Sequence, residues 1–264
     1  MKLNKLVKSA KVELNNVRLK MLNNSTFISS HKEQEIVENI RSKGFYILEN
    51  HFDKNWCEQA ITEIDNLIEK FPDQIWKDAA DSDFRLFGAN RVSSFINEYY
   101  THPLLISLLQ TYEGTKMKDG FTLGAKLIAA ENNKGSGGGW HRDHANVKQS
   151  KSIVYLTDVI DDNGPFQYIS KSHKSYNIYK DSYNYNFDQF QNRFTEQEVN
   201  RLIEKEPERL KTITGAAGTV ILTDTRGIHR GKPIQKGTRY ALTNYLWAHS
   251  NVPKHIEKSL IKGK

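Results

Sequence analysis

Apolar residues recur every three or four positions in four stretches of the chain, 32–43, 53–71, 103–112 and 195–206, and each spacing predicts a helix with one buried face. Elsewhere the apolar positions run together or alternate. Phe45 to Leu48, Phe121 to Ala130, Ser152 to Asp158, Phe166 to Ile169, Gly218 to Thr223 and Arg239 to Trp247 read as strands. Helices come first and strands dominate later, joined by long irregular connections without helices alternating regularly between them. That order argues against a doubly wound parallel sheet. It predicts a mainly β, α+β fold: a double-stranded β-helix, the jelly-roll barrel of two sheets, with helices packed outside. Residues 176–194, YNIYKDSYNYNFDQFQNRF, are rich in Tyr, Asn and Phe without a clean period, so a loop or lid inserted at about 174–194 is expected.

The first residues carry a pattern of their own. Leu3, Leu6, Val7, Ala10, Leu14 and Val17 share one helical face while lysines take the other. Such a helix either docks on the protein's own core or lies on an anionic membrane surface. The expected organisation is a basic amphipathic segment at 1–30, one domain at 31–250 and a basic tail at 251–264. Composition agrees: 264 residues with 38% hydrophobic content suffice for one large core. The single cysteine, Cys57, excludes an internal disulfide and a thiolate-rich zinc site and fits a reducing compartment. With no apolar run of 18 residues and no apolar secretion-signal core, the expectation is a cytoplasmic protein, with peripheral contact at the inner membrane surface through residues 2–20 as a variant. The formal net charge of +7 favours anionic partners in a general way. No basic segment is interleaved with aromatics as in nucleic-acid-binding modules, so no nucleic-acid partner is expected.

The chemistry concentrates in Gly137-Gly138-Gly139-Trp140-His141-Arg142-Asp143-His144. On an extended strand His141 and Asp143 share one face, with Arg142 and His144 on the other. The strongest candidate for a third ligand is His229, in GTVILTDTRGIHRGKPI, just after one apolar strand and before the next. Two imidazoles and one carboxylate form the facial triad of non-haem Fe(II) oxygenases, and zinc accepts the same donors. Arg239 stands ten positions beyond His229 at the start of a strand, where its guanidinium would point into the barrel and require an anion such as a carboxylate. Spacing alone leaves a surface salt bridge equally open. His102, His144, His173 and His249 read as packing or capping residues. A jelly-roll that binds metal without turnover, as a sensor or storage module, is the alternative reading.

Taken together, His141-Arg142-Asp143, the segment Asp162 to Lys174 (DNGPFQYISKSHK) and Gly227-Ile228-His229-Arg230-Gly231 followed by Arg239 resemble the phytanoyl-CoA dioxygenase family of Fe(II)- and 2-oxoglutarate-dependent oxygenases, over about Gly44 to Trp247. The resemblance implies iron held by His141, Asp143 and His229, which would then be the catalytic residues, and the distal carboxylate of 2-oxoglutarate paired with Arg239. It places Tyr155 beside the co-substrate, with a plain core role as the other reading. It also implies consumption of O2, release of succinate and CO2, and hydroxylation of a small-molecule substrate as the default outcome. Ser170-Lys171 stands where relatives commonly carry Pro-Gly, which puts that turn in doubt. The GSGGG approach looks loose enough to order only with substrate. Asp143 is a true carboxylate, unlike the small residue of halogenating relatives. Tyr176, Tyr179, Tyr183, Tyr185, Phe187 and Phe190 could stack on a ring or simply cover the barrel mouth, and the net charge points to an anionic, sugar- or nucleotide-linked molecule.

Overall fold

Helix α1 (His31–Lys43) starts at a capping box, Ser30 Oγ accepting from the Glu33 amide while the Glu33 carboxylate accepts from the Ser30 amide. Gly44 ends it in the left-handed conformation and turns the chain into β1 (Phe45–Leu48). Asp53 caps α2 (Lys54–Lys70), whose Cys57, Ala60, Ile64 and Leu67 form one buried stripe. The computed structural model describes residues 30–145, 147–188 and 190–263, and the amphipathic segment expected at 2–20 lies outside them. After α2 come β2 (Trp76–Lys77), β3 (Asp83–Phe87), α3 (Ser94–Tyr100), α4 (Pro103–Glu113), β4 (Asp119–Ile128), β5 (Ser150–Tyr155), β6 (Phe166–Ile169), α5 (Ser175–Tyr185) and α6 (Glu196–Lys205). The strands β7 (Leu210–Ile213), β8 (Val220–Asp224), β9 (His229–Gly231) and β10 (Thr238–Trp247) and the short α7 (Lys254–Glu257) complete the described chain.

Two antiparallel sheets face each other. The larger has the order β1-β8-β5-β10-β4-β3-β2, the smaller β7-β6-β9. Strand alternation divides the large sheet: Tyr240, Leu242 and Leu246 of β10 and Val154 of β5 join the helices in the main core, while Arg239, Ala241, Thr243 and Tyr245 of β10 and Lys151, Ile153 and Tyr155 of β5 line the pocket between the sheets. Tyr155 ties one sheet to the other, its hydroxyl donating to the Ile213 carbonyl on β7 at 2.9 Å and accepting from the Phe166 amide on β6 at 2.8 Å. This is the jelly-roll arrangement expected from the strand pattern. No helix among the described residues is long and apolar enough to cross a membrane.

The segment expected as an inserted loop is largely ordered secondary structure. Ile178, Asp181 and Tyr185 form the buried face of α5 at i, i+3 and i+7. The middle position is an aspartate, held by Arg209 at 2.9 and 2.7 Å, so a core position reads as polar and the period is hidden. Tyr176 and Tyr183 point to solvent, whereas Tyr185 and Phe187 pack with Trp140, Phe194 and Ile228 behind the pocket. Neither set lines the pocket; the stretch sends Arg193 there instead. The basic tail also packs: Val252, Leu260 and Ile261 are buried, and the Ile261 amide donates to the Phe87 carbonyl at 2.7 Å.

Candidate active site

The small sheet continues beyond β9. The His141 and His229 amides each donate to the other residue's carbonyl, at 2.9 and 2.7 Å, and on its far side His141 bridges to Arg193. His141 therefore makes isolated bridges where the sequence suggested a regular strand, and the chain bends at Asp143, whose amide donates to the Thr225 carbonyl at 3.0 Å just past β8. The inward alternation survives the bend. One ligand atom from each of His141, Asp143 and His229 lies within 4.8 Å of the others. Arg142 is turned away and buried over the Phe194 ring. His144 is exposed, and its Nδ1 accepts from the Val147 amide at 3.0 Å.

Backbone carbonyls select the tautomers. His141 Nδ1 lies 2.9 Å from the Gly139 carbonyl and His229 Nδ1 2.9 Å from the Gly227 carbonyl, so each Nδ1 donates and each Nε2 keeps its lone pair for the pocket. Burial pushes His141 down to about 4 and His229 down to about 3, which keeps both rings neutral at pH 7. Burial works against the Asp143 carboxylate, but the charge of Lys151 beside it outweighs this and holds the group below the usual carboxylate range. Two neutral imidazoles and one ionised carboxylate are the protonation states metal binding requires.

Glycine is required at one point of the approach. Gly137 has φ +88°, and a Cβ there would lie 2.2 Å from His141 Cε1. The glycine run that looked loose in sequence is a defined turn against the ring. Behind the site, Trp140 and Arg230, next to the two histidines, stack at 4.3 Å. Glu196 joins them, accepting from Trp140 Nε1 and pairing with the Arg230 guanidinium, while Arg230 Nε donates to Gln167 Oε1 at 2.7 Å.

Arg239 opens onto the same pocket. It is 5% exposed, its Nε has no hydrogen-bond partner, and it makes no ion pair among the described residues. Burial lowers its pKa, opposed in part by Tyr155 and Asp83. Asp83 itself is engaged by Arg85, whose Nε lies 3.0 Å from both of its carboxylate oxygens. Such an orphaned guanidinium fits an anionic ligand. Tyr155 lines the pocket beside it with its hydroxyl proton committed to Ile213, leaving the ring as its available surface. Sequence reasoning missed three pocket cations: Arg85, Lys151 and Arg193. Lys151 had a readable signal, being four residues before Tyr155 and so on the same strand face. Arg85 and Arg193 lie on elements the periodicity did not predict. His173 is buried with Nε2 3.2 Å from the Arg41 carbonyl, and His249 Nε2 is 3.9 Å from Glu113, so neither joins the site.

A family model described as phytanoyl-CoA dioxygenase (PhyH) matches residues 40–239. Among solved structures, the chain is similar to EctD from S. alaskensis in its apoform, with a TM-score of 0.62 and 17% identity over 85% of this chain and 79% of that one. The epimerase SnoN, in complex with Fe3+, alpha ketoglutarate and nogalamycin RO, gives 0.61 and 14% over 82% and 83%. HygX from Streptomyces hygroscopicus, with nickel and 2-oxoglutarate bound, gives 0.59 and 13% over 85% and 89%. At such identities the likeness is one of fold. No curated protein matches the sequence.

Proposed function

The chain belongs to the phytanoyl-CoA dioxygenase family, and from that premise we propose that it is an Fe(II)- and 2-oxoglutarate-dependent oxygenase that hydroxylates an anionic small molecule. His141 Nε2, Asp143 and His229 Nε2 would hold the iron, and Arg239 the distal carboxylate of 2-oxoglutarate. The single observation that carries the reading is Arg239: a buried guanidinium without an ion pair among the described residues, in the pocket that receives all three candidate ligands. A metal-binding module without turnover has no use for it. Ferrous iron with 2-oxoglutarate supplies O2-driven oxidation, in which the co-substrate becomes succinate and CO2 and a substrate C–H becomes C–OH.

The remaining work falls to the chain's own groups. The Gly139 and Gly227 carbonyls hold the imidazole protons away from the pocket. Ala125, Ile153, Phe166 and Ala241 give it apolar walls that exclude water. Arg193 lines its exposed rim with no carboxylate partner among the described residues, which favours an anionic substrate, sugar- or nucleotide-linked. Solved structures of similar fold hold nogalamycin RO and hygromycin B, which supports a small molecule. Anaerobic titration with Fe(II) and 2-oxoglutarate tests the reading. A metal-to-ligand absorption band is expected only when both are present, and Arg239→Gln is expected to weaken 2-oxoglutarate binding by about 2 kcal/mol or more, as for truncating one side of a buried charge pair. Metal binding with no band, and no effect of Arg239→Gln, would leave the non-catalytic module instead.

A further inference from the structure

We propose that Lys151 is a positioning residue that makes Asp143 a single-oxygen ligand. The inference rests on the iron and 2-oxoglutarate reading of the pocket and assigns a role within it. Lys151 projects from β5 into the pocket and is 4% exposed. Its ammonium lies 2.6 Å from Asp143 Oδ2 in a close ion pair, and 3.8 Å from the centre of the Tyr245 ring. The other oxygen, Oδ1, faces the site 3.9 Å from His141 Nε2. The two oxygens are thus divided between the lysine and the histidine corner.

That division has a chemical use. An octahedral ion held by three protein atoms keeps three positions open, two for a chelating co-substrate and one for O2. A carboxylate offering both oxygens would take a fourth. To turn both oxygens inward, Asp143 would have to leave a buried ammonium unpaired, which is costly. Tyr245, the direct cross-strand partner of Lys151, holds the ammonium in place from β10. Charge alone argues against a lysine here, because an ammonium this close repels a divalent cation. Loss of the lysine therefore favours metal binding on both counts, and its geometric role is read instead in the co-substrate, whose position a second carboxylate oxygen would take.

The test measures Mn(II) binding by calorimetry, then 2-oxoglutarate binding to the Mn(II)-loaded protein, for wild type, Lys151→Met and Lys151→Gln. Positioning predicts that Lys151→Met, in which Asp143 is free to offer both oxygens, binds Mn(II) at least as tightly as wild type but binds 2-oxoglutarate about tenfold or more weakly, the range typical of groups that orient a ligand. It also predicts partial recovery of 2-oxoglutarate binding in Lys151→Gln, whose amide can donate to Oδ2; both variants lack the ammonium charge, so a difference between them reports geometry. Equal 2-oxoglutarate binding in the two variants, 2-oxoglutarate binding by Lys151→Met as tight as wild type, or weaker Mn(II) binding by Lys151→Met overturns the proposal. Thermal unfolding checks the fold. Should Lys151→Met fail to fold, Lys151→Gln decides alone: 2-oxoglutarate binding close to wild type despite the lost charge supports positioning, and a loss of about tenfold or more overturns it. Wild-type protein that binds neither Mn(II) nor 2-oxoglutarate overturns the functional reading and this proposal with it, an outcome distinct from a silent lysine substitution.

Discussion

His141 and His229 are joined twice through their backbones, each amide donating to the other's carbonyl, and their rings stand 4.3 Å apart between centroids. Residues 88 positions apart in the chain thus sit directly opposite each other in the small sheet. Because a strand alternates faces, a slip of one residue would send one imidazole out of the pocket. The register between these two segments is therefore itself a determinant of the site.

Removal of either ring is expected to leave the fold in place and to lower Mn(II) affinity by more than 100-fold, beyond the range for groups that only orient a ligand. His141→Ala and His229→Ala, compared by calorimetry and by thermal unfolding of the metal-free proteins, check this. Near wild-type affinity in either variant would count against the assignment of the triad.

The glycine run offers a contrast within three residues. Gly137 and Gly139 both have positive φ, at +88° and +96°, but only at Gly137 would a Cβ meet His141, at 2.2 Å, whereas Gly139 faces open space. Gly139→Ala is expected to cost about 1 kcal/mol of stability from backbone strain and to leave metal affinity close to wild type. Gly137→Ala is expected to displace the imidazole as well and to weaken Mn(II) binding at least tenfold. Denaturant unfolding and calorimetry on both variants separate the effects; equal metal affinity would show that the ring tolerates the intrusion.

Acid sensitivity follows from a histidine outside the site. His173 is 2% exposed, and burial holds it down to about 4. Its unfolded form takes up a proton near pH 6.5, so stability contributed by the neutral ring is present above that pH and is lost as pH falls toward 4. The expected loss from this group is about 2 kcal/mol by pH 5. Urea unfolding in a metal chelator at pH 7.5 and pH 5.0 measures the total, to which His141 and His229 add. His173→Asn is expected to reduce the pH 5.0 penalty by about this share. An unchanged penalty would show that His173 is not protonated on unfolding in this range.

Much of this was legible in the sequence because it depends on local period and spacing. The apolar runs marked β1, β4, β5, β6, β8 and β10, and the order of helices before strands marked the jelly-roll. Spacing put His141 and Asp143 on one strand face and left Arg239 open to a surface salt bridge; it was the resemblance to the phytanoyl-CoA dioxygenase family that implied the meeting of His141, Asp143, His229 and Arg239 in one pocket. What stayed hidden were pairings with no local signature. The strand β9 is three residues long, and the 192–194 edge that aims Arg193 at the pocket is ordered by its partner His141. The helix α5 was obscured for a different reason, a charge at a core position. Asp181 breaks the apolar period in sequence, and the residue that neutralises it, Arg209, lies 28 positions away.

That same pair gives a stability prediction. Asp181 is fully buried, and Arg209, at 5% exposure, reaches both of its oxygens at 2.9 and 2.7 Å while also donating from Nε to the Ser170 carbonyl at 3.1 Å. Ion pairs at exposed positions contribute little, but removing one partner of a buried pair strands the other charge in an apolar setting. Asp181→Ala is therefore expected to destabilise the protein by about 3–5 kcal/mol, measured by urea unfolding at pH 7.5. Glu206, 3.4 Å from the same guanidinium, is partly exposed and engaged by Lys180 and Tyr185, so it compensates only in part. Because α5 leads into the edge that carries Arg193, the loosened helix is also expected to weaken binding of anionic substrate more than binding of Mn(II), whose candidate ligands lie on other segments. A loss under about 1 kcal/mol would mean that the hydrophobic contacts of Ile178 and Tyr185, rather than the buried charge pair, hold this helix against the small sheet.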